Sequence, residues 1–174
     1  MYVPSHFRVA DPSTIQTLIR DNSFGTLVSS GAGAPVATHL PFLLRTSGES
    51  LELAGHIART NPQADALSGG EELLAIFQGP HAYISPRWYT EGAVPTWNYQ
   101  SVHCYGIPTV ISDSLMRGIV GFRIRVTRTE ASCKLSQNKR ADDVGRVITG
   151  LRGRGDEASR KVAEAMEQQL WRRS

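Results

Sequence analysis

Aromatic rings and hydrogen-bonding side chains are concentrated in the stretch from Phe77 to Tyr105, FQGPHAYISPRWYTEGAVPTWNYQSVHCY. Two of the three tryptophans lie here, and Trp97 and Tyr99 flank Asn98. This mixture can hold a flat heteroaromatic ligand, because stacking supplies contact area while a few polar groups fix the orientation. The residues allow a second interpretation equally well, in which antiparallel strands bury these aromatics in the core.

A candidate anion site lies at Arg59, Thr60 and Asn61, where a predicted strand meets the start of a helix. Unpaired N–H groups at a helix start and a nearby guanidinium both favour a phosphate. A plain N-cap beside a surface arginine explains the same residues and, on the residues alone, is the simpler interpretation.

Thr38 and His39 lie in a predicted strand whose hairpin partner contains Ser29. A histidine in an otherwise apolar strand is usually a core residue with one hydrogen bond. No acidic residue stands two positions from His39, so the pattern indicates neither a metal site nor a catalytic dyad.

Lys134, Ser136 and Gln137 lie in a polar segment that follows the last predicted strand. The segment is either a simple connection to the next helix or a binding loop. In the second case its cation and its hydrogen-bonding side chains suit a phosphate or a ring edge with carbonyl and N–H groups.

Several function classes lack support in the sequence. It contains no nucleophile elbow, HExxH helix, P-loop or Rossmann glycine pattern. Cys104 and Cys133 are isolated, so neither a zinc site nor a disulfide framework is predicted. The net charge is only +3 and the basic residues are dispersed, which makes direct DNA binding doubtful. Without a signal-like start or a membrane-length apolar run, we expect a cytoplasmic protein with no membrane partner.

The 174 residues suit a single domain, 1–174, with C-terminal helices at about 141–172. Asp11 and Asn61 each precede a proline, which predicts a helix start at both places. Alternating apolar residues and glycine turns predict at least six strands, at 25–29, 35–44, 51–57, 73–77 with its continuation 82–85, 96–105 and 121–129. Mostly antiparallel strands with short inserted helices predict a mainly β (α+β) fold, a small barrel with peripheral helices.

Five strings, spread over most of the chain, together resemble the PaiB-type FMN-binding negative transcriptional regulators of bacteria. They are MYVPSHF, GHIARTNPQ, GPHAYISPRWY, VPTWNYQSVHCYG and GFRIRVTRTEASCKLSQN. The resemblance implies FMN as the cofactor and the split β-barrel shared with pyridoxamine-phosphate oxidases and flavin reductases. It also implies a homodimer with the flavin at the subunit interface, in which we expect the aromatic stretch around Trp97 and Tyr99 to take part.

The resemblance also assigns site residues. It implies that Arg59, Thr60 and Asn61 hold the cofactor phosphate and that His39, with Thr38 and Ser29, lines the isoalloxazine. It implies that Lys134, Ser136 and Gln137 contact the ribityl phosphate or the pyrimidine edge. Around Asp113 and Ser114 the sequence departs from the family pattern: the family has a helix and a loop there, whereas here one strand runs almost directly into the next element.

Three function classes remain open at this stage besides simple flavin binding. A flavin-dependent oxidoreductase would need a substrate pocket above the ring, with His39, His81 and His103 available for proton transfer. A haem-binding split barrel would need an axial histidine on a tail or loop. A DNA-binding repressor would show an affinity that falls steeply with salt. The sequence identifies no catalytic residue.

Overall fold

The structure is a computed structural model that describes residues 1–30, 33–48, 50–92, 94–111 and 117–171, except the side chains of residues 170 and 171. The junction at Asp113 and Ser114 lies outside the described residues. The strands are β1 Arg8–Val9, β2 Phe24–Ser29, β3 Val36–Pro41, β4 Leu43–Ser47, β5 Ser50–Ala58, β6 Leu73–Ile84, β7 Thr96–Ile111 and β8 Ile119–Lys134. The α-helices are α1 Pro12–Asp21, α2 Ala141–Arg152 and α3 Glu157–Trp171, and three short 3₁₀ helices cover Ser5–Phe7, Pro62–Leu67 and Pro86–Trp88.

The strands form one sheet in the order β3-β2-β6-β7-β8-β5-β4, with β1 paired to β8. The pairings of β2 with β3 and β6, and of β5 with β4 and β8, are all antiparallel. The chain divides into two compact units. Unit 1 comprises Met1, Asp11–Gln78 and Val102–Glu130, and unit 2 comprises Tyr2–Ala10, Gly79–Ser101 and Ala131–Ser174. Each of β6, β7 and β8 therefore contributes residues to both units.

The core of unit 1 lies on the apolar face of its strands. Phe77 and Phe122 are almost completely buried, and the ring of Phe42 meets both of them edge to face, at centroid distances of 5.3 and 6.3 Å. Full burial of such a side chain contributes about 1.5–3 kcal/mol. Gly106 allows β7 to approach β8 closely, because a Cβ at this position would lie 2.3 Å from the carbonyl oxygen of Arg125.

The core of unit 2 is built where α2 packs against α3. Val147 and Leu151 of α2 and Val162 and Met166 of α3 form the buried faces, and all are at most 1% exposed. Asp156 caps α3, since its carboxylate accepts a hydrogen bond of 2.8 Å from the N–H of Ser159.

Three strand predictions were wrong. The last strand does not end at 129, because β8 continues to Lys134, which therefore lies in the strand and not in the polar segment after it. The segment 35–44 is not one strand: β3 ends at Pro41, and β4 starts at Leu43 and pairs with β5 instead of β2. The predicted break at Gly79 and Pro80 is also absent, because β6 continues to Ile84. Its pairing with β2 covers only Leu74 to Ile76, so Pro80 lies beyond the part of β6 that pairs with β2, where a missing N–H costs less.

Candidate functional site

In unit 1, the predicted residues Thr38 and Asn61 contact each other at the start of the 3₁₀ helix. The Oδ1 atom of Asn61 accepts a hydrogen bond from the N–H of Gln63 at 2.9 Å, which confirms the predicted cap. The Nδ2 group of Asn61 donates to Oγ1 of Thr38, also at 2.9 Å. The N-cap and the strand that contains Thr38 are thereby fixed to one another.

Gln63 joins the third predicted residue, Ser29, to this group, and sequence reasoning missed it. Its Nε2 group lies within hydrogen-bonding distance of the Leu27 carbonyl (3.2 Å), Ser29 Oγ (3.0 Å) and the Val36 carbonyl (3.1 Å). The residue is only 2% exposed, and its Oε1 atom is buried without a partner among the described residues. A glutamine two positions after an N-cap carries no sequence signal of burial, because glutamine is mostly a surface residue. Ser29, Thr38, Asn61 and Gln63 are called the polar cluster below.

Arg59 and Thr60 are exposed in the turn that follows β5. The guanidinium of Arg59 donates from Nε to the carbonyl of Arg117 at 3.2 Å and from Nη2 to the carbonyl of Ile119 at 3.0 Å. The structure therefore gives this arginine a structural task at the start of β8, in addition to its positive charge. The 3₁₀ helix that follows has six residues, and the cap of Asn61 already uses one of its first N–H groups.

His39 is exposed on β3, and its imidazole stacks on the ring of Phe24, with centroids 6.5 Å apart and an interplanar angle of 23°. Phe24 is itself 68% exposed. The usual expectation for a histidine in an apolar strand, a buried core position, is therefore wrong here, and both rings are available to a ligand or a partner surface.

The predicted aromatic residues Trp97 and Tyr99 lie on one face of β7, in unit 2. Trp97 is 52% exposed and meets His81 and Tyr83 of β6, at centroid distances of 6.1 and 6.2 Å. Tyr99 is half-buried. The interpretation of this stretch as core filling is wrong for Trp97, whose ring is open to solvent, although Tyr89 of the same stretch is buried.

A cavity of about 180 Å³ opens in unit 2 beside the predicted loop. Lys134 lies at the end of β8, and the loop after it contributes Ser136, Asn138 and Lys139. Val94 precedes β7, and Thr96 is its first residue. Tyr89 completes the lining. Burial and the nearby charge of Lys139 lower the pKa of the Lys134 ammonium.

The loop between Lys134 and Lys139 is held in shape by its own side chains. Gln137 accepts a hydrogen bond from the N–H of Leu135 at 2.6 Å and donates to the carbonyl of Cys133. Ser136 has a φ of 62°, in the left-handed region, and its buried hydroxyl contacts the Tyr89 hydroxyl at 3.2 Å. The fully buried Asn98 donates from Nδ2 to the Ser136 hydroxyl at 3.0 Å.

The remaining candidates for chemistry lie in other surroundings. His81 is exposed, and its Nδ1 lies 3.2 Å from the carbonyl of Gly79. Burial and the Met1 ammonium lower the pKa of His103, whose Nδ1 is buried without a partner among the described residues, while Glu130 raises it. Cys104 and Cys133 are both buried and form no disulfide, and burial raises the pKa of Cys104 to about 12. Within the described residues, no group of three or more His, Cys, Asp or Glu side chains could hold a metal ion.

The predicted site residues therefore fall into two groups. Unit 1 holds Ser29, Thr38, His39, Arg59, Thr60 and Asn61, of which the polar cluster joins Ser29, Thr38 and Asn61. Unit 2 holds Trp97, Tyr99, Lys134, Ser136 and Gln137, of which Lys134 and Ser136 share the cavity. Besides Gln63, the structure adds Lys139, Tyr89 and Thr96 to the residues that sequence reasoning identified.

Solved structures show which fold this protein has. It superposes on the flavocytochrome Anf3 from Azotobacter vinelandii with a TM-score of 0.62 and 11% identity, over 83% of this chain and 78% of that one. It superposes on the FAD and haem binding protein from Mycobacterium smegmatis with a TM-score of 0.60 and 14% identity, over 79% and 78%. The fold is the split barrel of flavin-binding proteins, as the sequence predicts.

Sequence comparison identifies the family. The family model described as "Putative FMN-binding domain" matches residues 1–115. The chain is 36% identical to the protease synthase and sporulation protein PAI 2 of Bacillus subtilis (strain 168), over 98% of both sequences. It is 28% identical to the uncharacterized protein AN0679 of Emericella nidulans, over 97% of both. The chain belongs to the PaiB-like FMN-binding family, and FMN is its cofactor.

No helix in the described part of the chain has the length and apolar character needed to cross a membrane.

Proposed function

We propose that this protein is a homodimer that regulates a partner through its FMN-bound state and does not itself read DNA sequence. The observation that carries the proposal is the 36% identity to PAI 2, a relative named as a sporulation protein, over nearly the full length of both sequences. The remaining support comes from the charges and exposed surfaces described below.

The described residues have the chemistry that FMN requires. A ring system needs an apolar face with polar groups at its edge, and the half-exposed Trp97 with Tyr99 offers such a face. A phosphate needs cations and hydrogen-bond donors, which Lys134 supplies in unit 2 and Arg59 in unit 1. When bound, FMN supplies a ring that accepts and donates electrons.

We assign each group its own part in binding. In unit 1 the proposed FMN contacts are Ser29, Thr38, His39, Arg59, Thr60 and Asn61. In unit 2 they are Trp97, Tyr99, Lys134, Ser136 and Gln137. The side chains of Ser136 and Gln137 are occupied by internal hydrogen bonds, so their main task is to hold the loop that follows Lys134 and leads to Lys139.

The distribution of charge argues against base reading by this protein. On α3, Arg160 pairs with Glu164 at 2.6 Å and Lys161 pairs with Glu157 at 2.8 Å. Two cations of β8 are also paired, Arg123 with Glu52 at 3.7 Å and Arg128 with Glu130. A cation that already faces a carboxylate contributes little to phosphate tracking, and the net charge is only +3.

The dimer is proposed because large apolar side chains are exposed in both units. Trp97 is 52% and Val94 is 73% exposed in unit 2, while Phe24 and Leu43 are 68% and 57% exposed in unit 1. A second copy of the chain would bury each such residue twice in an isologous interface. We also propose a cytoplasmic location, which two buried cysteines outside any disulfide fit.

Fluorescence anisotropy with labelled DNA tests the regulatory part. We expect the FMN-loaded protein to bind DNA only weakly at physiological salt, with no difference between promoter and random sequences. Nanomolar, sequence-dependent binding by the purified protein alone would contradict the proposal and make it a direct repressor.

A further inference from the structure

The unit 2 cavity holds two of the three lysines of the chain, Lys134 and Lys139. The third, Lys161, pairs with Glu157 on α3. Neither cavity lysine forms an ion pair with any residue that the structure describes, and none of the described lining residues carries a carboxylate. Two ammonium groups therefore face one concavity without a counter-charge.

The surroundings of the two ammonium groups orient them further. Lys134 Nζ donates to Oγ1 of Thr96 and lies 5.9 Å from the centroid of the Phe7 ring. Lys139 Nζ lies 5.2 Å from the centroid of the Tyr89 ring. These contacts hold the ammonium groups without neutralising them, because hydroxyls and aromatic faces carry no net charge.

The backbone of the loop is fixed before any ligand arrives. Ser136 keeps a φ of 62°, which is uncommon for a residue other than glycine, and the N–H of Lys139 donates to the Ser136 carbonyl at 3.0 Å. The Ser136 hydroxyl is anchored to Asn98 and Tyr89. A site with preset geometry loses less conformational entropy on binding, so the strained loop favours a ligand in the cavity.

We propose that the cavity between Lys134 and Lys139 is a binding site for the oxyanion group of a ligand, a phosphate or a carboxylate. The two lysines supply charge-assisted hydrogen bonds, and the exposed amide of Asn138 and the hydroxyl of Thr96 supply neutral ones. The group belongs either to FMN itself or to a separate anionic ligand. The proposal does not require FMN to bind here, since the site is defined by its own charges.

Competitive acetylation measures the site directly, with inorganic phosphate as the probe. Acetic anhydride converts a free lysine amine to an amide with release of acetate, and mass spectrometry of peptides gives the rate at each of the three lysines. We expect phosphate to slow the acetylation of Lys134 and Lys139 several-fold relative to sodium chloride of equal ionic strength, because a bound anion keeps the amines protonated. Lys161 is the internal control and should be unaffected.

A matched pair of variants sharpens the test. Lys139 is exposed, so Lys139→Met should fold, and the phosphate concentration that half-protects Lys134 should rise about tenfold or more in this variant. Lys161→Met, the control, should leave that concentration unchanged. If phosphate slows all three lysines equally, or if Lys139→Met leaves the protection of Lys134 unchanged, the proposal is overturned.

Two further arms identify the source of the oxyanion. If FMN protects both cavity lysines and riboflavin does not, the oxyanion is the phosphate of the cofactor. If added inorganic phosphate still slows the acetylation of Lys134 and Lys139 in the FMN-loaded protein, the cavity serves a separate anionic ligand. A protein that binds no FMN yet shows phosphate protection would refute the assignment of FMN contacts and leave the oxyanion site standing.

Discussion

Asn98 is the residue that connects the cavity loop to the core of unit 2. It is fully buried, and its Nδ2 group donates to Ser136 Oγ at 3.0 Å and approaches Met166 Sδ at 3.3 Å. A buried donor or acceptor that is left without its hydrogen-bond partner lowers the free energy of unfolding by roughly 1–3 kcal/mol.

Asn98→Ala should therefore lower the free energy of unfolding by about 2 kcal/mol, through lost hydrogen bonds and a small cavity. Asn138→Ala is the matched control. Asn138 is an exposed amide of the same cavity loop, so its loss should change stability by less than about 0.5 kcal/mol. Urea unfolding curves give both values. Equal stability of the two variants would mean that Asn98 does not hold the loop.

His103 provides a prediction about pH. Burial lowers its pKa below the ordinary value of 6.5, so the folded state binds the proton less readily than the unfolded state does. Its contribution to stability is thus present above pH 6.5 and is lost as the pH falls from 6.5 to the lower pKa of the folded state.

Replacing His103 by Asn should reduce the loss of stability between pH 7.5 and pH 5.5, because the difference in proton binding disappears. Urea unfolding of both proteins at the two pH values measures the change. A wild-type loss no larger than that of the variant would contradict the assignment of this titration to His103.

At the scale of elements, α2 contains two glycines in opposite situations. A Cβ on Gly150 would lie 2.3 Å from Cε2 of Trp88, whose ring is covered on one side by the guanidinium of Arg154, 4.7 Å from its centroid. A Cβ on Gly145 would meet nothing within 4 Å.

Gly150→Ala should consequently destabilise the protein by about 1–3 kcal/mol, since Trp88 must move. Gly145→Ala, an exposed position in the same helix, should stabilise it by about 0.5–1 kcal/mol through higher helix propensity. Thermal unfolding of the pair decides the point. Melting temperatures that shift in the same direction would show that Trp88 does not pack on Gly150.

The elements also show which parts of the fold the sequence could predict. Local signals were reliable: the predicted caps at Asp11 and Asn61 both accept a hydrogen bond from a backbone N–H of the first turn. The errors concerned strand pairing. Phe42 separates β3 from β4 although the pattern is continuous, because the two strands pair with different neighbours, and such long-range pairing leaves no local signature.

The site was predictable to a similar extent. Lys134 was identified because it lies in a recognisable motif, whereas Lys139 and Thr96 are ordinary surface types that only the tertiary structure brings to the cavity. Gln63 was missed for the same reason, since nothing local marks a glutamine that will bond Ser29 and two strand carbonyls. Residue type and motif predicted the segments that line the cavity and the polar cluster, and tertiary structure decided which side chains meet there.

At the scale of the whole molecule, the exposed ring of Trp97 is the basis of the dimer prediction. Light scattering at micromolar concentration should give the mass of two chains, and Trp97→Asp should shift the equilibrium towards the monomer by placing a charge in the interface. Arg87→Asp, an exposed position elsewhere in unit 2, is the control and should stay dimeric. A monomeric wild type would remove the proposed interface.

The central claim is that the protein binds FMN and recognises its phosphate. Titration of the flavin-free protein with FMN and with riboflavin, followed by flavin fluorescence, tests this most directly. The loss of charge-assisted bonds to the phosphate costs roughly 1.5–3 kcal/mol for each bond, so FMN should bind at least tenfold more tightly than riboflavin. Equal affinity for the two flavins would contradict phosphate recognition, and failure to bind either, or a haem spectrum in the freshly purified protein, would contradict the account as a whole.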